Sequence, residues 1–427
     1  MILEIAFVFL VLLLALYLVR HYIFTLAVLY RAKKRLPENK GEKFEPHVSV
    51  LIPANDEENV IGRLLQRMCE LTYPKDKLQI IVINDASRDK TGEIADEFAK
   101  RHGFIKVIHR DHVNGGKGKP HALNEGLAHA IGEVIYCFDA DYYPKRDIIE
   151  RFNAHFRDPK IGAVQGRVTV LNEPVSLVTR LVALERIAGY RVDQKAREDL
   201  GLIPQFGGTV GGFRSELIRA LGGWDCNILA EDTDLTFRCY LAGYKIRYVN
   251  DAESYEEAVE NWRYYWSQRS RWAKGHMQCA FKHLFNFIKS KNLRLREKFD
   301  GLLLLNIYFV PIIVLLAWIV GAALYFSNPN FWFLSLWALV PLSLYSAVGN
   351  FAPFFEIGIG AYLDDRSRVY WLIPLLFLTF FINIAICTKA FIELFWLKLM
   401  GTKQFRWEKT LHNGYGNNYM ECLHKKC

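Results

Sequence analysis

None of the eight cysteines, at positions 69, 137, 226, 239, 279, 387, 422 and 427, is spaced as Cys-x-x-Cys. That excludes a dithiol redox motif and leaves scattered thiols, as expected of a domain in a reducing cytoplasm. Cys422, His424 and Cys427 stand close together, but in a spacing that matches no usual zinc site. No module of basic residues interleaved with aromatics is present, so the net charge of +9 does not point to a nucleic-acid partner. No Walker loop is present either, and the apolar C-terminal part lacks the internal repeat of a transporter.

The hydrophobic residues, 51% of the chain, are unevenly placed: residues 1–30 and 301–400 are strongly apolar, whereas 40–300 read as a soluble domain. Ile5 to Val19 carries no charge, Arg20 interrupts it, and the apolar character resumes through Tyr30. A spanning helix needs roughly 20 such residues. A signal peptide would begin with positive charge and end at small residues. Here Glu4 comes first and Arg31, Lys33, Lys34 and Arg35 follow, so residues 1–35 read as an uncleaved anchor with the chain entering the cytoplasm after it. Apolar stretches near 302–326, 331–352 and 370–397 make 301–400 a C-terminal transmembrane region, followed by a tail, 401–427. The uncharged link 327–330 belongs outside and the charged link 364–368 inside. Simple alternation then puts the tail outside, while Lys398, Lys403, Arg406 and Lys409 hold it inside. The tail is expected to be cytoplasmic, with one C-terminal segment re-entrant or interfacial. Within 276–300, Met277, Phe281, Leu284, Phe285 and Ile288 fall at helical spacing. This reads either as an amphipathic helix in the membrane interface or as one packed on the soluble domain.

The soluble part alternates strands with helices. Apolar runs predict strands at 48–53, 78–83, 105–108 and 133–138, with helices over 57–70, 91–101 and 121–130. The fold class is therefore α/β, a mostly parallel sheet with helices on both faces. Such sheets bind ligands beyond the carboxyl ends of their strands. The residues there are polar: Ala54–Glu58 after the first strand, Asn84–Asp89 after the second, Asp139–Asp141 after the fourth. One such cluster would be a cap or turn; three at one edge point to a site.

Asp139 and Asp141 stand one residue apart, and paired hard carboxylates suit Mg2+ or Mn2+ bridging a diphosphate. The glycine-rich loop 114–120 carries Lys117 and Lys119, which suits phosphate, though a flexible surface turn would look the same. Asp232, at the start of a helix running to Leu241, reads as a cap or as a general base. Gln268, Arg271 and Trp272 offer a guanidinium for phosphate and a flat indole for a sugar ring. The rival reading is an aromatic stripe, since Trp262, Tyr265 and Trp266 precede them.

The order and spacing of these pieces resemble the family 2 glycosyltransferases, especially the membrane-bound processive β-glycan synthases that make hyaluronan, cellulose, chitin oligosaccharides and poly-N-acetylglucosamine. The likeness covers residues 46–275 by motif and the remainder by hydrophobic layout. It implies a GT-A-like nucleotide-sugar-binding domain at 40–275, joined to helical transmembrane segments. It also implies site roles. Pro53, Asn55 and Glu57 match the first-strand motif at the nucleotide, Asp85 the reader of uracil, and Lys117 the loop lysine near the donor. Asp139 and Asp141 match the D-x-D that holds diphosphate and metal. Glu231 and Asp232 match T-E-D, with Asp232 as base. Gln268, Arg271 and Trp272 match Q-x-x-R-W at the diphosphate and acceptor, and Trp407 and Thr410 resemble a tryptophan-threonine motif over the site. Asp56, Asn84 and Ala230 depart from the usual residues without removing a needed charge. The implied activity is inverting, metal-dependent transfer from a UDP-sugar to a growing β-linked polysaccharide at the cell membrane. The alternative is a single transfer to a membrane lipid, diacylglycerol or polyprenyl phosphate.

Overall fold

The computed structural model describes residues 2–32, 44–113, 115–327, 351–400 and 413–414. It opens with α1 (Ile2–Ala32), long and apolar enough to cross a membrane. Then come β1 (Val48–Ala54), α2 (Ile61–Cys69), β2 (Leu78–Asp85), α3 (Thr91–Arg101), β3 (Ile105–Arg110), α4 (Lys119–His129) and β4 (Val134–Cys137). These are the strand-helix alternations read from the sequence. Runs such as Ile80 to Ile83 are apolar throughout because both sheet faces are covered. Side chains alternate between the two faces. Val50 and Ile52 meet Leu64, Ala95 and Phe152 in one layer. Leu51 meets Leu123, Leu235 and Phe237 in the other.

The second half departs from simple alternation. It holds β5 (Tyr143–Pro144), α5 (Ile148–Asn153), β6 (Ile161–Val170), α6 (Leu177–Arg186), α7 (Lys195–Leu200), β7 (Gly211–Arg214), α8 (Ser215–Ala220), α9 (Glu231–Leu241) and β8 (Lys245–Glu256). All eight strands form one sheet, ordered β3-β2-β1-β4-β7-β6-β8-β5. β7 runs antiparallel to both β4 and β6, and β5 antiparallel to β8; the other pairs are parallel. The reversal of β7 matters for function. It brings the residues that precede β7 to the same edge as the carboxyl ends of β1, β2 and β4.

Next comes α10 (Trp262–Lys289), started by Asn261, whose side chain accepts the Tyr264 N–H, and then α11 (Leu295–Leu305). The 276–300 segment is thus not one helix: its first part finishes α10 and its last part begins α11. Met277 and Phe287 are buried against the domain, while Phe281, Phe285 and Ile288 are exposed. Leu304 and Leu305 pack into the domain core, so the span expected from residue 302 begins later, at Ile307. It includes α12 (Val310–Ser327). The stretch expected at 331–352 lies almost wholly outside the described residues. α13 (Ala352–Leu363), at 12 residues, is too short to span. The Arg368–Leu397 stretch, which contains most of α14 (Leu376–Leu399), is long and apolar enough.

The membrane helices are bound to the domain, not merely tethered. α14 packs on α6 and α10 through Ile386, Val182 and Met277, and α1 packs on α7 through Phe24, Val28 and Ala196. Asp364, after α13, pairs with Arg167 and with Arg191, the latter at 2.9 Å, which puts the 364–368 link beside the catalytic domain.

One buried ion cluster fixes α9 on α10. Asp234 is fully buried and holds Arg238 at 2.6 Å and Lys282 and His283 at 2.7 Å. Burial works against its charge, but the His283 bond and the two cations hold its pKa down to about 2. Removing one partner of such a cluster strands the others. Asp234→Ala is expected to cost about 3 kcal/mol, seen as a clear fall in unfolding temperature; an unchanged temperature would contradict this role.

Candidate active site

A cavity of about 860 Å3 lies at the sheet edge where β1, β2 and β4 end. Every site residue named from the sequence that falls within the described residues lines it. From the strand ends come Pro53, Asn55, Glu57, Asp85, Asp139 and Asp141. Lys117 comes from the loop before α4, Glu231 and Asp232 from the start of α9, and Gln268, Arg271 and Trp272 from α10. Trp407 and Thr410 lie outside the described residues.

The first two strand ends are braced to each other. Asn55 Nδ2 donates to the Asp85 carbonyl at 2.6 Å, and the Glu57 N–H donates to Thr91 Oγ1 at 2.7 Å. Asp85 pairs with Arg110. Asn84 accepts from the Ser87 N–H at 3.2 Å and lies 3.0 Å from His109, so the residue that departs from the family pattern braces the turn.

At the end of β4, the Asp139 N–H donates to Thr209 Oγ1 at 3.0 Å. The Asp139 carboxylate pairs with Lys119 at 2.5 Å, and Lys119 also donates to the Gly208 carbonyl at 3.0 Å. Burial alone would lower the Lys119 pKa, but Asp139 and Glu231 raise it, so the ammonium stays charged. Asp141 accepts the Glu257 N–H at 3.2 Å. Among the described residues no set of three His, Cys, Asp or Glu side chains encloses a metal. Two carboxylates one residue apart still fit Mg2+ or Mn2+, because such ions are commonly held by one or two carboxylates with substrate phosphates and water.

α9 begins at Ala230 without a side-chain cap. Asp232 is therefore not its N-cap; it sits in the first turn and accepts the Thr233 N–H at 2.7 Å. Gly208 lies against it: the φ of +83° suits glycine, and a Cβ there would come within 3.3 Å of Asp232 Oδ2. A second glycine sets the helix spacing. A Cβ on Gly275 would come within 2.4 Å of the Ala230 nitrogen, so α10 touches the start of α9 only because that residue lacks one. This contact brings Arg271 close to Glu231 and Asp232. Burial lowers the Arg271 pKa, while Glu231, Asp232 and Asp139 push back. Burial first, and then the charge of Asp232, raise Glu231 to about 7.

Trp272 is flanked by two guanidinium groups, Arg269 at 4.3 Å and Arg186 at 5.2 Å from the ring centroid. Arg186 is anchored by Glu256 at 2.5 Å. Lys119 was read from sequence only as one of two loop lysines, and His276 was not singled out. Nothing there separates Lys119 from Lys117 two residues earlier. His276 lines the cavity stacked on Tyr308, ring centroids 4.4 Å apart, and burial lowers its pKa to about 4, which keeps it neutral. The only sequence signal for it was its place one helical turn beyond Trp272.

Residues 46–275 match the family model described as glycosyltransferase like family 2. Over 251 residues the chain is 43% identical to the "Probable glycosyltransferase YdaM" of Bacillus subtilis (strain 168), covering 58% of this chain and 60% of that one. It is 32% identical over 255 residues to the beta-monoglucosyldiacylglycerol synthase of Synechocystis, covering 60% and 53%. It is 31% identical over 252 residues to a poly-beta-1,6-N-acetyl-D-glucosamine synthase of Staphylococcus epidermidis, covering 58% and 59%. These matches span less than two thirds of each relative's length. Among solved structures, the mannosyltransferase PcManGT from Pyrobaculum calidifontis, in complex with GDP-Man and Mn2+, superposes with a TM-score of 0.55 at 25% identity, over 84% of this chain and 98% of that one. The fold is GT-A-like, as the motifs implied.

The titration of Glu231 has a kinetic consequence. Ionising it places negative charge beside Asp232, the base that the motif implies. The transfer rate is expected to rise as pH increases through about 7. In Glu231→Gln that rise should vanish; a variant profile with the same inflection would show that Glu231 is not its source.

Proposed function

Because the chain belongs to glycosyltransferase family 2, we propose that it moves a sugar from a nucleotide donor, a UDP-sugar, onto a hydroxyl of a growing β-linked glycan at a membrane. The observation that carries the glycan acceptor is the indole of Trp272. It lines the cavity that also holds Asp232, and a flat indole there can stack on a sugar ring.

The reaction is a single displacement. The acceptor hydroxyl oxygen bonds to the anomeric carbon as the bond from that carbon to the diphosphate oxygen breaks. Asp232 takes the hydroxyl proton. The electron pair leaves with the nucleoside diphosphate, and the configuration inverts. Asn55, Glu57 and Asp85 hold the nucleoside end, with Pro53 shaping the pocket wall. Lys117, Lys119, Gln268 and Arg271 meet the negative diphosphate. Asp139 and Asp141 would hold Mg2+ or Mn2+, which when bound neutralises the leaving group.

In this reading the catalytic domain, residues 40–275 extended by α10 and α11, lies on the cytoplasmic side. Arg31 at the end of α1 lies 3.8 Å from Asp199 of the domain, in line with the positive-inside rule. A cytoplasmic tail is supported by residues 413 and 414: the Gly414 N–H donates to Glu257, a cavity residue, at 3.2 Å, and Asn413 to Glu260 at 3.1 Å. One observation favours the second reading, a lipid acceptor: Ile307 and Tyr308, at the start of a membrane span, also line the cavity.

Purified protein in nanodiscs, given UDP- and GDP-sugars with Mg2+ or Mn2+, should yield a polymer from UDP-sugar. One sugar on an extracted lipid would establish the second reading instead. Asp232→Asn is expected to lose at least about a hundredfold in rate while donor affinity holds; near-normal turnover would remove Asp232 from the mechanism. Asp141→Ala should abolish the metal dependence of donor binding, and unchanged metal-dependent affinity would contradict that assignment.

A further inference from the structure

A second cavity, of about 500 Å3, lies apart from the catalytic one, between α12 and α14. Both helices belong to stretches long and apolar enough to cross a membrane. Leu315 and Trp318 form one wall, and Phe381, Ile384, Ala385 and Ile392 the other. Trp318, Phe381 and Ile392 are exposed along it, so the cavity is a groove on the outer face of the helix pair. In a bilayer such a face meets lipid chains rather than water.

Its length fits one leaflet. From Phe381 to Ile392 the groove follows α14 for roughly 16 Å at the helical rise. The hydrocarbon core of a bilayer is about 30 Å thick, so the groove reaches to near its middle. α12 gives the same depth: Trp318 stands roughly 16 Å along the span that starts at Ile307. There Trp318 and Phe381 close the groove, their ring centroids 6.0 Å apart.

The other end is charged and lies beside α10 of the catalytic domain. Lys389 and Glu393 line it. Lys389 lies over the Trp266 ring, 5.8 Å from its centroid, and tryptophan is enriched at the level where membrane meets water. Glu393 pairs with Lys274 of α10 and stands 3.7 Å from Lys389. Two lysines thus share one carboxylate, and one positive charge is in excess. Lys389 makes the looser of the two contacts and is 56% exposed. A charged group on a spanning helix is costly to hold without a counter-charge. Basic pockets between spanning helices on the cytoplasmic side suit anionic head groups. A lipid without net charge leaves the extra cation unmatched. A phosphate bearing one negative charge matches it, and Lys274 offsets the Glu393 carboxylate that would otherwise oppose it.

We propose that this groove binds one anionic phospholipid from the leaflet on the catalytic-domain side, with an acyl chain along Leu315, Ala385 and Trp318 and the phosphate at Lys389. The site is distinct from the catalytic cavity and does not rest on the transferase reading. It joins a lipid to α10, the helix that carries Gln268, Arg271 and Trp272.

The test uses the full chain in nanodiscs of equal parts phosphatidylcholine, phosphatidylethanolamine and phosphatidylglycerol. Native mass spectrometry counts the lipids that stay bound to wild type, Ala385→Trp and Lys389→Gln. Wild type should retain one phosphatidylglycerol, with a preference of about fivefold or more over either zwitterionic lipid. Ala385 is exposed in the groove, so an indole there fills it without displacing a packed side chain. Ala385→Trp should lose the bound lipid, and Lys389→Gln should still retain a lipid but lose the preference. Wild type that retains no lipid, or retains the three without preference, overturns the proposal. So does an Ala385→Trp protein that retains phosphatidylglycerol as wild type does, or a Lys389→Gln protein with the wild-type preference.

Discussion

The cavity depends on a charge balance that no single element supplies. Asp139, Asp141, Glu231 and Asp232 converge in one buried space, and like charges at short range in a low dielectric repel strongly. Lys119, paired with Asp139, and Arg271, near Glu231 and Asp232, offset them. Part of the remaining excess is relieved at Glu231, where burial and the charge of Asp232 raise the pKa to about 7 and so favour the protonated form below that pH. The rest of the architecture serves to hold these groups together. The reversal of β7 carries Gly208 and Thr209 to the carboxylate edge. Gly275 lets α10 touch α9, and Asp234 locks that contact through Lys282 and His283 of α10. A diphosphate entering this space meets cations already fixed in place, so little reorganisation is needed when charge develops on the leaving group.

Much of this was legible in the sequence, for reasons that can be stated residue by residue. β1, β2 and β4 were visible because strands covered on both faces are apolar throughout. The rule that ligands bind at strand ends then turned Asn55, Asp85 and Asp139 into candidates before any geometry was known. The second half of the sheet was not visible. β7 is the four-residue run Gly-Gly-Phe-Arg, and β8 is interrupted by polar residues and a register shift. Neither has a period to detect, because their pairing is set by neighbours far away in the chain. Lys119 escaped for a similar reason: its distinction from Lys117 is burial against Asp139. His276 matters only because Tyr308, on another helix, stacks upon it.

The membrane helices are part of the same unit. Hydropathy placed a span from about residue 302, but Leu304 and Leu305 are core residues of the catalytic domain, and the span starts just after them. Domain and membrane therefore meet within one helical turn, and the cavity is lined by residues from both sides of that boundary, Leu304 and Tyr308 among them. In the proposed reaction the acceptor would meet the donor beside the start of that apolar helix.

The central claim is direct displacement at the anomeric carbon by an acceptor hydroxyl activated at Asp232. The most direct measurement is the anomeric configuration of the first bond formed from an α-linked nucleotide sugar, read by NMR before secondary reactions accumulate. The account predicts a β-linkage and no exchange of donor label without acceptor. An α-linkage, or exchange without acceptor, would mean a covalent or dissociated sugar intermediate and would contradict it.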